Sequence, residues 1–452
     1  MTLILTARWL LPITSPPIVN GAIAVSGDTI AAVGTLADLQ SRFPDAVLRD
    51  LGLAAILPGL INVHSHLELS VFRGRLEMPA FQQWISELVR LKRERLSPEA
   101  LLVSAKLGCI EAIRAGITTV ADTAEADAVL PALIESGQRG IVYQECFGPQ
   151  REQAEASITA LEQKLNILSG RLDRIDREAR SRLSIGISPH APYTVSAELY
   201  RRAAELAGKR NMDLALHVAE SRDEDLLLRN GTGAFADALR RRGIDWLAPG
   251  CSTISYLDQL GVLERAPLLI HCVTADERDL ELMSARGARL AHCPKSNAKF
   301  GHGIAPLAQA RRLGIRVGLG TDSVASNNTC DMIEEGRSAA LLHRAASRDA
   351  GMLEAADLLR LMTIDGARSL DIDGRTGSLE QGKQADLIAL DLSGPNSSPH
   401  YDPESAIAFS CSGRDCVMTM VAGRMLYDVG RVLTFDEEAI LTQARAIASE
   451  LY

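Results

Sequence analysis

Between residues 57 and 320 the chain repeats a two-part pattern. A short apolar run comes first, and a stretch with helical periodicity follows most of them. The runs fall at 57–63, 117–121, 140–146, 183–188, 214–218, 268–273, 289–293 and 317–320, with helical stretches such as 196–210, 275–286 and 332–346. Gly116, Gly137, Gly287 and Gly314 stand where helices should stop, because glycine accepts the left-handed conformation of a C-terminal cap. Eight strand candidates alternating with helices predict an α/β fold, a parallel (β/α)8 barrel of the TIM type. An open doubly wound sheet is the alternative, but no Gly-x-Gly-x-x-Gly opens a helix after a strand.

The two ends read differently. Residues 1–57 carry short apolar runs at 3–5, 22–25, 29–33 and 54–57, with Gly27-Asp28 as a hairpin turn. The tail repeats the style at 386–390, 417–421 and 425–427, with Ala422-Gly423-Arg424 as a turn and an amphipathic helix over 436–451. Neither set is large enough for a core of its own. We expect them to pair as one small composite β-sandwich, with 1–57 and 369–452 flanking a barrel domain over 58–368.

Charge narrows the partners. Lys plus Arg total 48 and Asp plus Glu total 57, a net charge of −9, and aromatics are 4%. A nucleic-acid binder usually shows a basic excess or a base-stacking platform, so no nucleic-acid partner is expected. No run approaches the roughly 20 apolar residues of a membrane span. Arg8 interrupts the apolar opening, which no basic residues precede, unlike a signal peptide. The eight cysteines include no Cys-x-x-Cys pair and read as buried thiols of a reducing cytoplasm. The charged run 152–182 reads as one solvated helix.

The nine histidines are the chemical signal. His64, His66, His190, His217, His271 and His292 each fall within a few residues of a strand's carboxyl end, and His302 lies in the loop after the seventh strand. In a barrel those ends converge on one mouth, where active sites form. His64 and His66 are two apart, so in extended chain both imidazoles reach the same side. His217 closes the fifth strand, and Glu220, three residues on, suits a proton shuttle. Asp322 follows a glycine-rich apolar run, where a helix cap is the competing reading. His271 fits a buried strand histidine or a catalytic group equally. Three histidines and an aspartate form an N/O set suited to one divalent ion, zinc first, with iron or manganese also compatible. An ion at the mouth would keep a position for water and lower its pKa.

These residues sit in segments that resemble the amidohydrolase superfamily along nearly the whole chain. More narrowly they are similar to its branch of methylthioadenosine/S-adenosylhomocysteine deaminases, guanine-type deaminases and triazine hydrolases. The resemblance rests on Pro58-Gly-Leu-Ile-Asn-Val-His-Ser-His66, Phe72-Arg-Gly74, Ala115-Gly-Ile-Thr-Thr-Val120, Pro189-His-Ala-Pro-Tyr193 and Leu216-His-Val-Ala-Glu220. It continues through His271-Cys-Val273, Cys293-Pro-Lys-Ser-Asn297, Gly303-Ile-Ala-Pro306, Gly320-Thr-Asp-Ser323 and the tail 377–387.

The resemblance implies that His64, His66, His217 and Asp322 hold the metal and that Asp322 takes a proton from the attacking water. His271 would orient or polarise at the attacked carbon, and Glu220 would protonate the ring nitrogen and then the departing amine. Relatives with two metals use a carboxylated lysine at the fourth strand; 183–193 has none, so one ion is expected. His190 would contact the sugar portion and Trp84 the base of a heterocyclic substrate, with Arg73 also at the substrate; His302, where relatives usually carry a small residue, is expected near the pocket, selecting a different substrate edge or a carboxylate. The implied activity is release of ammonia from an aminated N-heterocycle, most closely a 6-aminopurine nucleoside of the adenosine, methylthioadenosine, adenosylhomocysteine or aminodeoxyfutalosine type. A chlorohydrolase or an amide hydrolase is the alternative, and a homo-oligomer is implied by analogy. Thr274, His302 and the segment 81–90 depart from the usual pattern and leave the substrate's side chain open.

Overall fold

A computed structural model describes residues 2–78 and 80–451. Eight parallel strands form the barrel: β1 (Leu60–Ser65), β2 (Ile117–Ala124), β3 (Arg139–Cys146), β4 (Leu183–Pro189), β5 (Ala215–Val218), β6 (Leu268–His271), β7 (Arg289–His292) and β8 (Val317–Leu319). They run as two four-stranded halves, β1 to β4 and β5 to β8. Bridges at Ile187–Leu214 and Ser65–Asp322 join the halves into a closed ring.

Alternation of side chains across each strand separates two apolar layers. Ile61, Val63, Ala121, Ile141, Ala215, Leu268, Ile270 and Ala291 form one buried cluster. Leu60, Val120, Val142, Leu216, Leu269 and Leu290 belong to another, shared with the surrounding helices. The β1–β2 register slips between Asn62 and Ser65. That irregularity re-aims the chain so that His64 joins the histidines at the mouth, although Val63 next to it packs in the barrel core.

Both chain ends build the second, smaller unit. A seven-stranded sheet combines Trp9–Leu10, Ile18–Val19 and Ala54–Pro58 with Leu387–Asp391, Cys416–Val421, Arg424–Asp428 and Arg431–Val432. A four-stranded sheet of Thr2–Thr6, Gly21–Ser26, Thr29–Thr35 and Val47–Asp50 packs with it, sharing a core of Leu5, Ile23, Ile30, Leu387 and Met418. Leu57 sits opposite Ile388, so the join between N- and C-terminal segments is direct backbone pairing. Arg139 of β3 donates to Asp386 at 2.8 Å, a buried pair that fastens this unit to the barrel.

Two sequence expectations change. The run at 57–63 is not one strand: it is shared between Ala54–Pro58 of the sandwich and β1, with Gly59 at the break. A Cβ at Gly59 would lie 2.1 Å from Thr118 Oγ1, so only glycine passes there. The run at 152–182 is two helices, Ala154–Leu172 and Arg177–Arg182, because Asp176 caps a new start by accepting from Ala179 N. Leu161, Leu165, Leu168 and Leu172 bury one face of the first. Among the described residues no helix is long and apolar enough to cross a membrane.

Candidate active site and metal centre

The chain turns sharply just past several barrel strands. Ala219, His271, Cys272 and Asp322 all have positive φ, between 51° and 75°. Such strain in non-glycine residues persists where surrounding contacts hold it, and here it aims side chains across the mouth. Glu224 holds one of these turns, accepting from Ala219 N at 2.6 Å, Glu220 N at 3.1 Å and Thr253 Oγ1 at 2.6 Å. Asp122 holds another, accepting from Ser65 Oγ and Leu67 N, each at 2.7 Å, on either side of His66.

His64 of β1, His66 just past its end, His217 of β5 and Asp322 after β8 come together at the mouth. His64 Nε2 lies 3.3 Å and His66 Nε2 3.5 Å from Asp322 Oδ1, and His66 Nε2 lies 3.3 Å from His217 Nε2. These three spacings are those of neighbouring ligands around one ion bound at about 2.0–2.1 Å, and one ligand atom each of His64, His66 and His217, and of His64, His271 and Asp322, lie within 4.8 Å of one another. His64 Nε2 is buried with no hydrogen-bond partner, an orphan that a cation would satisfy. His217 Nδ1 faces the His190 carbonyl at 3.3 Å, which leaves its Nε2 lone pair for the centre. Ser296 and Ser326 donate to Asp322 Oδ2 at 2.6 and 2.9 Å, so Oδ1 is the oxygen turned to the histidines.

Electrostatics suit the same role. Burial and the neighbouring His64 push His66 down to about 3, and burial and His190 hold His217 well below the usual imidazole range. Both are therefore neutral, ligand-ready imidazoles near pH 7. Burial would raise Asp322, but His64, His271 and His66 outweigh it and hold the carboxylate well below its usual range. Glu220 goes the other way: burial first, then Asp322 and Glu224, lift it well above the usual carboxylate range. Two carboxyls at one mouth are thus poised as an anion and a neutral acid, the split that acid–base chemistry needs.

His271 Nε2 lies 3.5 Å from Glu220 Oε1, and His271 Nδ1 lies 2.9 Å from Asn297 Oδ1. Burial drives His271 down to about 3. These groups open onto a cavity of about 480 Å³ that His66, Trp84, His190, His217, Glu220 and Asp322 help to line. Trp84 lies on the helix Phe81–Arg95 and stacks on Phe81, with centroids 6.2 Å apart.

Two expected substrate residues sit elsewhere. His302 packs behind Glu220, 3.9 Å away, between Phe81 and Phe300 rather than on the cavity wall. Arg73 lies outside the cavity: its guanidinium pairs with Glu111 and donates to the Asn328 carbonyl, a structural tie. His292, at the end of β7, turns away to His343, 3.1 Å between Nε2 atoms. Sequence reasoning passed over Lys92, Glu145, Phe147, Tyr193 and Arg242 on the wall. Two of them carried a signal, Tyr193 in the motif 189–193 and Glu145 by its place at the carboxyl end of β3.

The fold and donor set define a barrel hydrolase, and the comparisons agree. The amidohydrolase family model matches residues 55–426, so the chain belongs to that family. A model for the bacterial imidazolonepropionase-like composite domain matches residues 21–46. The chain is 33% identical over 434 residues, 96% of its length and 94% of the other, to a 5-methylthioadenosine/S-adenosylhomocysteine deaminase of Pelotomaculum thermopropionicum. It superposes with a TM-score of 0.84 at 28% identity on an adenosine deaminase from Xanthomonas campestris with bound zinc, covering 99% and 98% of the two chains. The atrazine chlorohydrolase TrzN of Arthrobacter aurescens, complexed with zinc, shares the fold with a TM-score of 0.83 at 23% identity over 99% and 100%.

Proposed function

We propose that the protein is a deaminase that releases ammonia from an aminated N-heterocycle, a 6-aminopurine nucleoside or close analogue, using a single zinc ion held by His64, His66, His217 and Asp322. The reading rests chiefly on one juxtaposition: a cluster of three histidines and an aspartate at the mouth, with the neutral acid Glu220 and His271 beside it, 3.5 Å apart. Similarity to the methylthioadenosine/adenosylhomocysteine and adenosine deaminases supports the substrate class. The divalent ion would supply a water of lowered pKa and charge stabilisation at the attacked carbon.

The chain's own groups do the rest. The Asp322 carboxylate accepts the proton that water loses on adding to the ring carbon. Neutral His271 orients the attack. Glu220 delivers its proton to the adjacent ring nitrogen, takes up the remaining proton of the added hydroxyl as the carbonyl forms and passes it to the amine, because ammonia leaves readily and an amide ion does not, and the proton left on Asp322 returns Glu220 to its acid form. Loss of chloride needs no such proton, so a buried neutral acid favours deamination over dechlorination. Free thiols throughout suit a reducing cytoplasm, and a homo-oligomer is part of the reading by analogy with relatives.

Ammonia release from adenosine, methylthioadenosine, adenosylhomocysteine, aminodeoxyfutalosine, guanine and pterins tests the proposal. Turnover of at least one purine nucleoside is expected. No turnover of any compound in the panel contradicts it.

A further inference from the structure

We propose that Glu224 is the positioning residue of the acid Glu220: a buried carboxylate that clamps the backbone turn from which Glu220 projects, and whose charge holds the acid proton on it. The proposal rests on the deaminase reading above for the use to which that proton is put.

Glu224 is the third residue of the helix Arg222–Asn230, which Ser221 caps. Ser-x-x-Glu at a helix start ordinarily makes a reciprocal pair, the serine oxygen accepting from the glutamate N–H and the glutamate side chain accepting from the serine N–H. Only the first half forms here, with Glu224 N donating to Ser221 Oγ at 3.3 Å. The carboxylate instead reaches past the cap. Its Oε1 accepts from Ala219 N at 2.6 Å and its Oε2 from Glu220 N at 3.1 Å. Those amides belong to the catalytic turn and not to the helix, so the side chain serves the turn.

The turn needs that support. Ala219 has φ at +51°, which a non-glycine residue keeps only under restraint. The same residue is held from its other side: the Ala219 carbonyl accepts from Thr274 N at 2.9 Å and from Thr274 Oγ1 at 3.2 Å. Glu220 therefore projects from a backbone gripped by Glu224 at its N–H groups and by Thr274 at the carbonyl.

Charge supplies the second effect. Glu224 is fully buried, and its three partners, Ala219 N, Glu220 N and Thr253 Oγ1, all donate to it. Donors favour the ionised form. Burial pushes the carboxyl up to about 7 against their pull, so the charge is complete on the alkaline side, where Glu220 must keep its proton. Among the described residues no basic side chain faces Glu224; the titratable groups near it are Asp225, Tyr193, Tyr200 and Cys272. Glu220 itself faces His271, His302, Asp322 and Glu224. With an ion bound, the Asp322 charge is spent on the cation. Glu224 is then the negative charge that disfavours ionising Glu220.

The test reads Glu220 without turnover. Zinc-loaded wild type, Glu224→Gln and Glu224→Asp carry 13C-labelled glutamate, and Glu220→Gln assigns the Glu220 carboxyl resonance. Its titration midpoint is followed beside zinc content, and beside kcat and KM on whichever nucleoside of the panel wild type deaminates. Glu224→Gln removes the charge and turns an amide N–H toward Glu220 N. The Glu220 midpoint should fall by about one unit or more, and the alkaline limb of kcat should move down with it. The loss, about tenfold or more, should lie in kcat, with KM within about twofold. Glu224→Asp keeps the charge but is one methylene short, so it should restore the midpoint and not the rate. Thr253→Val removes one donor from Glu224 and should act in the direction of Glu224→Gln at smaller size; it decides the matter if the other two fail to fold. An unchanged Glu220 midpoint in Glu224→Gln overturns the proposal, as does a loss of rate that loss of zinc accounts for in full. The deaminase reading fails separately: with no nucleoside deaminated, the Glu220 midpoint is still read and still depends on Glu224.

Discussion

The backbone N–H of Asp322 donates to the carbonyl of His64 across 3.0 Å. The seam that closes the barrel is therefore also the join between two of the proposed metal ligands. Asn62 reinforces it, donating to Thr321 Oγ1 at 2.7 Å and accepting from Thr321 N at 3.0 Å. Barrel closure and ligand placement are one event in this fold, since the site cannot assemble unless β1 meets β8.

Gly320 sets how closely the seam shuts. A Cβ there would come within 2.8 Å of His64 Cβ and 3.0 Å of its backbone N and O. Gly320→Ala should cost about 1–3 kcal/mol by overpacking and weaken metal retention. Gly170→Ala is the control, because nothing lies within 4 Å of a Cβ at that helical position. It should be neutral or slightly stabilising. Urea unfolding and metal content of the two variants check the contrast.

Asp122 should act on the metal without touching it. Replacing it with Ala leaves Ser65 Oγ and Leu67 N without their acceptor and frees the turn that carries His66. Zinc affinity should fall about 10- to 100-fold, the usual effect of losing an outer support. Competition with a chromogenic chelator measures it.

The pH dependence follows from Glu220. Burial lifts its carboxyl well above the usual range, so the proton it must donate is present at neutral pH. Rate should fall as pH rises through that raised pKa, giving an alkaline limb in kcat. Glu220→Gln should lose the limb and run at least about a hundredfold slower. A pH–rate profile of both proteins decides it.

The buried histidines of the metal-free protein should oppose folding in acid. Burial depresses His66 and His271 to about 3 and His190 to about 4 in the folded state, against an ordinary 6.5. Between those values the unfolded chain binds more protons, so their contribution to stability rises with pH up to about 6.5 and levels off above it. Carboxyls that burial raises in the folded state, Glu220 and also Glu145 and Glu335 at about 8, act in the opposite sense, so the histidines are followed one by one. NMR titration of the imidazole ring protons measures this: no change in the three rings between about pH 7 and pH 5 is expected, and titration near 6.5 would contradict the neutral, buried state of the cluster.

Much of this was legible because the site is made from strand ends. His64, His66, His217 and Asp322 each follow an apolar run, and the barrel turns that shared position into proximity. The seam could not be read: Gly320 looks like any loop glycine until β1 packs against it. The Gly59 break was hidden because both strands flanking it are apolar and the need for glycine comes from a tertiary neighbour, Thr118. Arg73 shares a segment with family motifs, yet its guanidinium finds Glu111 on the neighbouring helix Pro98–Arg114, a long-range pairing that no local pattern encodes.

The most direct test of the account is elemental analysis of purified wild type beside His217→Ala and Asp322→Asn. The account predicts close to one equivalent of zinc per wild-type chain, a large loss of metal in both variants, and deaminase activity that follows metal content. Active wild-type protein without a stoichiometric divalent ion, or His217→Ala protein that retains full metal and activity, would contradict it.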